Sequence, residues 1–246
     1  MHVKGVRILQ YKGHKLRHEL KFLITEAERD LLIGTMSAVM PLDPHSKNGG
    51  YLIRSLYFDD MYSSALEDKQ AGILRRRKHR IRIYNCSDSH ISFEIKDKFD
   101  NYISKISAKI TTDQCRRIIN GDFGFMIDSP QQALRAGFID ARTRLLHPSV
   151  VVDYYRTAFV GREGNVRVTF DSDLRSGLGS TDIFNPDMVT VAAMEPGWLI
   201  LEVKYDDYLP DTVRALLAPI NARQSSQSKY TLCRSAQNTF YGKECS

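Results

Sequence analysis

Residues 74–110 read LRRRKHRIRIYNCSDSHISFEIKDKFDNYISKISAKI, and this stretch decides the fold. Three runs within it alternate polar with apolar residues, at Leu74–Tyr84, His90–Lys98 and Tyr102–Ile110. Alternation with a period of two is typical of a strand with one buried face, and the short Asn, Asp and Ser segments between the runs favour tight turns. Together with the preceding run Tyr51–Asp59, the stretch therefore predicts an antiparallel meander.

The same pattern extends along the chain in both directions. Further strands are predicted at Leu16–Ile24, Tyr51–Asp59, Ser149–Val160, Asn165–Asp171 and Trp198–Tyr205. Helices are predicted from the capping box of Thr25 and Glu28 to about Met40, over Thr111–His147 in two pieces with Ser129-Pro130 opening the second, and over Asp211–Ile220 and Gln227–Tyr241. These elements predict an α+β fold with about eight antiparallel strands.

Positive charges fall repeatedly on one face of these strands. Arg80 and Arg82 alternate with isoleucines, and the other strands repeat the arrangement with Arg17, Glu19 and Lys21, with Glu94, Lys96 and Lys98, with Lys105 and Lys109, with Arg167, and with Glu202 and Lys204. A solvated outer face is the ordinary interpretation of any single strand. Like charges on neighbouring strands are nevertheless destabilising, so their repetition points to an anionic ligand.

Closure of the sheet would turn these charged faces inward. We expect a closed antiparallel β-barrel that forms a polar tunnel, with the apolar strand faces covered by helices packed outside. Arginine forks and lysine point charges would bind phosphate oxygens in the tunnel. The carboxylates Glu19, Glu94 and Glu202 could hold a hard divalent cation that in turn contacts phosphate.

Composition sets limits on the class of protein. The chain has 246 residues, 42% of them hydrophobic, and a net charge of +6. A single domain spanning residues 1–246 is expected, since no linker or repeat divides the chain. The four cysteines, Cys86, Cys115, Cys233 and Cys245, form no metal-ligand pattern. Without a signal-peptide core or a long apolar run, the chain is expected to be soluble and cytoplasmic.

Other local signals carry less weight. Asp122-Phe123-Gly124 imitates a kinase motif, but no kinase catalytic loop accompanies it, and no phosphate-binding P-loop occurs. Asp59-Asp60 and Asp171-x-Asp173 are candidates for metal binding or for strand-end turns. The run Arg75–Lys78 is either a solvated basic loop or the entrance of the tunnel.

Short motifs in a fixed order resemble a known family. They are E-x-K at Glu19–Lys21, Y-F-D-D at Tyr57–Asp60, R-x-R at Arg80–Arg82, E-I-K at Glu94–Lys96, Arg156, R-V-T-F-D at Arg167–Asp171, L-E-V-K at Leu201–Lys204 and S-K-Y at Ser228–Tyr230. Together they resemble the VTC domain, the catalytic module of the vacuolar transporter chaperone polyphosphate polymerase, within the CYTH or triphosphate tunnel metalloenzyme superfamily. The resemblance spans roughly Leu16 to Tyr241.

This resemblance implies a metal-dependent polyphosphate polymerase-like phosphotransferase. It would bind ATP and polyphosphate in the basic tunnel and transfer the γ-phosphoryl group to the chain with Mn²⁺ or Mg²⁺. The implied phosphate-binding residues are Lys21, Arg80, Arg82, Lys96, Lys105, Arg156, Arg167, Ser228 and Lys229. The implied catalytic residues are Lys21, Arg80, Arg82, Lys96, Arg167 and Lys204. Glu202 would be the principal metal ligand, beside Glu19 and Glu94.

One departure and several alternatives remain open. The wider superfamily has E-x-E-x-K in the first strand, whereas Arg17 replaces the first Glu here. This loss of a carboxylate fits the polymerase branch and leaves the number of bound metals open. The alternatives are a non-catalytic polyphosphate-binding or sensor module, an inorganic triphosphatase, and a single-strand nucleic-acid binder, although no nucleic-acid partner is expected. Whether a membrane-protein partner receives the product also stays open.

Overall fold

The structure is a computed structural model that describes residues 10–11, 14–15, 17–46, 48–99 and 102–244. Leu16 and Cys245 lie outside the described residues. The strands are β1 (Gln10–Tyr11), β2 (His14–Lys15), β3 (His18–Thr25), β4 (Tyr51–Asp59), β5 (Arg75–Tyr84), β6 (Ser87–Phe99), β7 (Tyr102–Ile110), β8 (His147–Val160), β9 (Arg167–Gly177), β10 (Thr190–Ala192) and β11 (Trp198–Tyr205).

Six α-helices accompany the strands in this part of the chain. They are α1 (Glu26–Met36), α2 (Ser64–Gln70), α3 (Thr112–Ile119), α4 (Gln132–Arg144), α5 (Asp211–Leu217) and α6 (Lys229–Glu244). None of the described helices is both long enough and apolar enough to cross a membrane.

One antiparallel sheet of nine strands dominates the fold. Its order is β3-β11-β9-β8-β4-β5-β6-β7, and the short β10 pairs with β9 beside this path. The strands β1 and β2 form a separate two-stranded sheet. The α+β class and the meander β4-β5-β6-β7 predicted from the sequence are confirmed, and the predicted bounds of β4, β7 and β11 match.

The helix predictions need several adjustments: α5 ends at Leu217 instead of Ile220, and α6 covers Lys229–Glu244 instead of Gln227–Tyr241. The helix α1 begins after Thr25 with the predicted capping box, in which Thr25 Oγ1 accepts from the Glu28 N–H and Glu28 Oε2 accepts from the Thr25 N–H, but it ends at Met36 instead of Met40. The helix α4 begins after Gln131, two residues beyond the predicted cap. The helix α2 and the strand β10 were not predicted because both are short.

The apolar faces of the sheet pack under four of the helices. Over one half of the outer face, Cys115 and Ile118 of α3 and Leu134 of α4 join a buried cluster with isoleucines and Phe93 of β5 and β6. Gly137 allows close approach there, because a Cβ at this position would lie 2.6 Å from the Phe93 ring. Over the other half of the same outer face, α1 and α5 cover β3, β9 and β11. Burial of these faces turns the opposite, charged faces inward, as predicted.

The prediction of a closed barrel is wrong: the curled sheet is open and forms a half-barrel. Its edge strands are β3 and β7, and among the described residues one isolated bridge lies between these edges, from Arg17, just before β3, to Ile103 of β7. The physical reason is that another segment occupies the free edge of β3. Gln224 bridges to Phe22, and the Ser225 N–H donates to the Lys21 carbonyl at 2.8 Å.

The prediction that all helices pack outside is also wrong. The helices α2 and α6 contact the concave face, where Tyr230 and Cys233 of α6 and Leu66 of α2 pack against Ile53 and Val152. Ile53 lies on the same face of β4 as Tyr57, and Val152 of β8 is paired with Ser55 on that face, whereas Leu56 points to the opposite face. The helix α6 therefore covers the apolar part of the concave face and leaves the basic part accessible.

A buried ion pair joins β4 to β8 and fixes the loop before β10. Arg54 Nε and Nη2 donate to the two Asp153 carboxylate oxygens at 2.9 and 2.7 Å, and Arg54 Nη1 donates to the Ile183 and Asn185 carbonyls. Both side chains are almost fully buried, with 3% and 6% of their surfaces exposed. Each charge therefore depends on the other for compensation.

Substitution of one member of this pair is expected to be costly. Arg54→Met leaves the Asp153 carboxylate buried without its counter-charge, so we expect the free energy of unfolding to fall by about 3–5 kcal/mol. Urea denaturation measures it. The double variant Arg54→Met/Asp153→Leu removes both charges and should recover most of the loss; a double variant as unstable as the single one would contradict this explanation.

Candidate functional site

The concave face carries a strongly basic cavity. Eleven Lys and Arg side chains line it against two carboxylates, Glu19 and Glu202. The basic residues are Lys21, Lys69, Arg76, Lys78, Arg80, Arg82, Lys96, Lys98, Arg156, Lys204 and Lys229, and the remaining lining residues are Tyr57, Tyr154, Ser226 and Ser228. Most come from successive positions on one face of β3, β5, β6 and β11, as strand alternation predicts.

The R-x-R motif of β5 lies in the centre of the cavity wall. Arg80 donates to Glu94 Oε2 through Nε at 2.8 Å and to the Tyr57 hydroxyl through Nη1 at 2.9 Å. Arg82 donates to the hydroxyls of Ser55 and Tyr154 at 3.2 and 3.1 Å. Arg80 is thus compensated by a carboxylate, whereas the hydrogen bonds of Arg82 go to neutral hydroxyls.

Two carboxylates lie together with several lysines where β3 and β11 pair. Glu19 lies 3.1 Å from Lys96 Nζ and 3.7 Å from Lys204 Nζ, and Glu202 contacts Lys204 directly. Burial and the neighbouring Glu202 both act to raise the pKa of Glu19, but Lys96, Lys21 and Lys204 outweigh them, so that this pKa lies below its usual value. The lysines therefore keep both carboxyl groups ionised.

A second buried network connects β8, β9 and the start of α6. Arg156 donates to both Asp171 carboxylate oxygens at 2.6 and 2.7 Å, and Lys229 Nζ lies 2.6 Å from Asp171 Oδ2. The Lys229 ammonium also lies over the Tyr154 ring, 4.9 Å from its centroid. Asp171 thus serves as an ion-pair partner and not as a turn residue.

At the start of β5 the cavity is basic without carboxylates. Lys78 Nζ donates to Ser228 Oγ at 2.9 Å and lies over the Tyr230 ring. Burial and then the charges of Lys21, Lys96, Arg76 and Lys69 hold the pKa of Lys78 well below its usual value. Lys69 lies within 3.4 Å of Ser226 Oγ.

Ten of the site residues predicted from the sequence line this cavity. They are Glu19, Lys21, Arg80, Arg82, Lys96, Arg156, Glu202, Lys204, Ser228 and Lys229. Three do not line it. Arg167 contacts Asp43 and the Tyr51 hydroxyl, and Lys105 contacts Glu94, which itself lies between Lys105 and Arg80.

The other sequence signals also have definite places. Arg76 and Lys78 face the cavity, whereas Arg77 and His79 point to the opposite side and contact Asp140 of α4. Asp59 and Asp60 accept backbone N–H groups at the start of α2, which is the turn interpretation. Arg17 pairs with Asp206 at 3.0 Å.

Sequence reasoning did not name seven lining residues as site residues. Sequence alternation already places Lys98 on the charged face of β6, and Arg76 and Lys78 could have been found by extending the alternation of β5 by one or two steps. Tyr57 stands within a quoted motif, but nothing in it indicates the hydrogen bond to Arg80. The chain pattern gives no signal for Lys69, Tyr154 or Ser226, which reach the cavity through tertiary packing.

The carboxylates of Glu19 and Glu202 can hold a metal ion only together with oxygen ligands from a bound phosphate. Glu19 and Glu202 supply hard oxygen donors, but the described residues contain no group of three or more His, Cys, Asp or Glu side chains that could hold a metal. Mg²⁺ is commonly bound by one or two carboxylates together with substrate phosphates. The donor set therefore fits a divalent ion whose remaining ligands come from phosphate oxygens and water.

Comparison with models of protein families assigns the chain to a family. The model of the VTC domain matches residues 16–237, so the chain belongs to the VTC domain family. No curated protein matches the sequence.

Solved structures share the architecture at low sequence identity. A candidate adenylate cyclase from Bacillus halodurans has 13% identity and a TM-score of 0.51, covering 86% of this chain and 95% of its own. A candidate adenylate cyclase from Vibrio parahaemolyticus has 9% identity and a TM-score of 0.50, covering 89% and 98%. These similarities concern the fold.

The ionisation of Glu94 gives the site a pH dependence. Burial acts to raise the pKa of Glu94, but Arg80, Arg82 and Lys105 outweigh it and hold that pKa far below its usual range. A carboxyl with a depressed pKa in the folded state stabilises the protein above its unfolded-state pKa of about 4.3, and this contribution is lost as the pH falls.

We therefore expect Glu94→Gln to flatten the acid limb of the stability profile. Below about pH 4 the unfolded chain binds a proton that the folded Glu94 does not, which contributes a slope of about 1.4 kcal/mol per pH unit. Urea denaturation from pH 6 to pH 3 measures the slope. Glu163→Gln, on an exposed side chain, is the matched control, and equal slopes in the wild type and Glu94→Gln would contradict the assignment.

Proposed function

We propose that this chain is a metal-dependent phosphotransferase of the polyphosphate polymerase type. It would bind ATP and polyphosphate in the basic cavity and transfer the γ-phosphoryl group of ATP to the polyphosphate chain. The observation that carries the proposal is the lining itself: eleven basic side chains against two carboxylates on one concave face. Such a concentration of positive charge requires a ligand with many negative charges.

The shape of the basic surface favours a linear phosphate ligand. Arg76, Lys78, Arg80 and Arg82 follow one another on a single face of β5. Two residues of a strand advance by about 6.5–7 Å, so this row extends over about 20 Å. Arginine can bind phosphate oxygens in pairs and lysine as a point charge, which allows an extended chain to be held without recognition of a base.

The proposed chemistry needs no protein nucleophile. A terminal phosphate oxygen of the acceptor chain would form the new bond to the γ-phosphorus, the bond from that phosphorus to the β–γ bridging oxygen would break, and ADP would leave. Lys21, Arg80 and Lys96 would align the phosphates and neutralise their charge. Glu19 and Glu202 would hold a Mn²⁺ or Mg²⁺ ion, which supplies further charge neutralisation when bound.

A second candidate is a non-catalytic polyphosphate-binding module. The observation that favours it is the state of the carboxylates, since lysine ammonium groups contact both Glu19 and Glu202. An inorganic triphosphatase is a third candidate. That the chain forms a single domain stays a prediction. That a membrane-protein partner receives the product also stays a prediction.

Synthesis of polyphosphate tests the leading proposal. With radiolabelled ATP and Mn²⁺, we expect the wild type to form long chains that an exopolyphosphatase degrades. Glu202→Gln should lower the rate at least about 100-fold, because a neutral amide no longer holds the metal; such a loss corresponds to about 2.7 kcal/mol of transition-state stabilisation. Glu163→Gln, exposed and away from the cavity, should retain the wild-type rate.

The products separate the alternatives. Release of phosphate from tripolyphosphate without chain growth would replace the polymerase with a triphosphatase. Tight polyphosphate binding without turnover in Mn²⁺ or Mg²⁺ would replace it with a binding module.

Binding itself depends on the basic lining. Arg82→Ala removes a guanidinium whose hydrogen bonds in the structure go to two neutral hydroxyls. The substitution should therefore mainly weaken the binding of phosphate. A hydrogen bond to a charged group contributes about 1.5–3 kcal/mol, so we expect tripolyphosphate to bind about 10- to 100-fold more weakly. Isothermal titration calorimetry measures the change. Arg135→Ala, exposed on α4, is the control, and an equal loss in both variants would contradict a specific site.

A further inference from the structure

We propose that Lys69, Arg76, Lys78 and Lys98 form a separate subsite for the part of a linear phosphate chain that extends beyond a tripolyphosphate. We refer to these four residues as the carboxylate-free cluster. The cluster would select long polyphosphate over tripolyphosphate and nucleotides and would hold the chain in one direction. This inference rests on the proposed phosphate-binding function of the cavity and assigns a role to residues outside the family motifs.

Strand register places the cluster's charges directly opposite one another. Arg76 of β5 is paired with Lys98 of β6, and Lys78 is paired with Lys96 in the next position on the same face. Like charges in directly opposed positions destabilise a sheet. The arrangement therefore carries a cost that a bound anion would remove.

Within the described residues, no carboxylate forms an ion pair with the cluster, and the charge of Glu19 acts on Lys98 only from beyond ion-pair distance. The contacts of Lys69 and Lys78 go to the hydroxyls of Ser226 and Ser228, and neither Arg76 nor Lys98 has an ion pair there. The rest of the cavity differs, because Arg80 pairs with Glu94, Lys96 with Glu19 and Lys229 with Asp171. Positive charge without a counter-charge is thus concentrated at one end of β5.

The pKa shifts are consistent with this crowding. Burial, followed by the charges of Arg76, Lys98 and Lys21, lowers the pKa of Lys69. Burial, Arg76 and Lys21 likewise lower the pKa of Lys98 and outweigh the opposing charge of Glu19. Each ammonium group is destabilised by its neighbours, and an anion among them would reverse this effect.

The cluster and the carboxylates give the cavity a direction. Glu19 and Glu202 contact Lys96, Lys204 and Lys21, near the pairing of β3 with β11. These carboxylates would hold a divalent ion and its bound phosphates, whereas the carboxylate-free cluster would suit phosphates that carry no metal. An extended polyphosphate can occupy both positions, but a nucleotide places a neutral sugar and base beyond its phosphates. The cluster would therefore hold the growing polyphosphate chain.

The test compares two ligands on one variant. Lys69→Gln/Lys98→Gln removes two charges of the cluster and none of the family-motif residues. We expect the Kd for long-chain polyphosphate to rise at least about 10-fold, while the Kd for tripolyphosphate changes less than about 3-fold, a difference set by the phosphates that reach the cluster. Arg116→Gln/Arg142→Gln, exposed on α3 and α4, is the matched control and should change neither value.

Three outcomes decide between the proposals. Equal losses for the two ligands, or no loss for either, would overturn the subsite and leave the proposed function standing. A folded wild type that binds neither ligand would overturn the proposed function, and the subsite with it. Thermal unfolding gives a ligand-free check, because relief of repulsion should raise the Tm of the double variant; a lowered Tm would contradict the crowding on which the subsite depends.

Discussion

The rest of the structure depends on how like charges that lie opposite one another on a sheet are compensated. Lys78, Lys96 and Lys105 occupy directly paired positions on the adjacent strands β5, β6 and β7. Two of these lysines pair with Glu19 and Glu94, and the third, Lys78, contacts a hydroxyl and an aromatic ring. The buried apolar clusters on the outer face supply the free energy that holds this arrangement together.

Much of the fold follows from local pattern. Period-two alternation predicted the meander, the bounds of β4, β7 and β11, and the face on which each charge lies, because these properties depend only on strand geometry. Closure of the barrel was not predictable in this way. Whether β3 pairs with β7 depends on competition for its free edge, and Gln224 and Ser225, about 200 residues away in sequence, take part of that edge. The position of helix α6 on the concave face was likewise not predictable, because it depends on packing against the distant strands β4 and β8.

The site residues likewise divide into those that local sequence pattern predicts and those that depend on tertiary structure. Residues such as Arg82 and Lys96 could be predicted because the strand pattern and the family motifs coincide there, whereas Lys69 arrives on the short helix α2, which has no clear sequence signature. Ion-pair partners also escape sequence reasoning. The pairing of β5 with β6 places Glu94, a predicted metal ligand, opposite Arg80. The register of a neighbouring strand, which sets the ion-pair partner of such a carboxylate, is not contained in the strand's own sequence pattern.

From Arg80 towards the first residues of β5, charge compensation decreases. Arg80 has a carboxylate, Lys78 has a hydroxyl, and Arg76 faces Lys98. Helix α2 then adds Lys69 at the position where compensation is already weakest within the described residues. A sheet selected for stability alone would place a carboxylate there, since one Glu opposite Lys78 or Arg76 would relieve the repulsion. Destabilising arrangements concentrate at functional sites, where a ligand supplies the missing interaction. The gradient of compensation therefore argues that the least compensated end of the cavity is a place where phosphate binds.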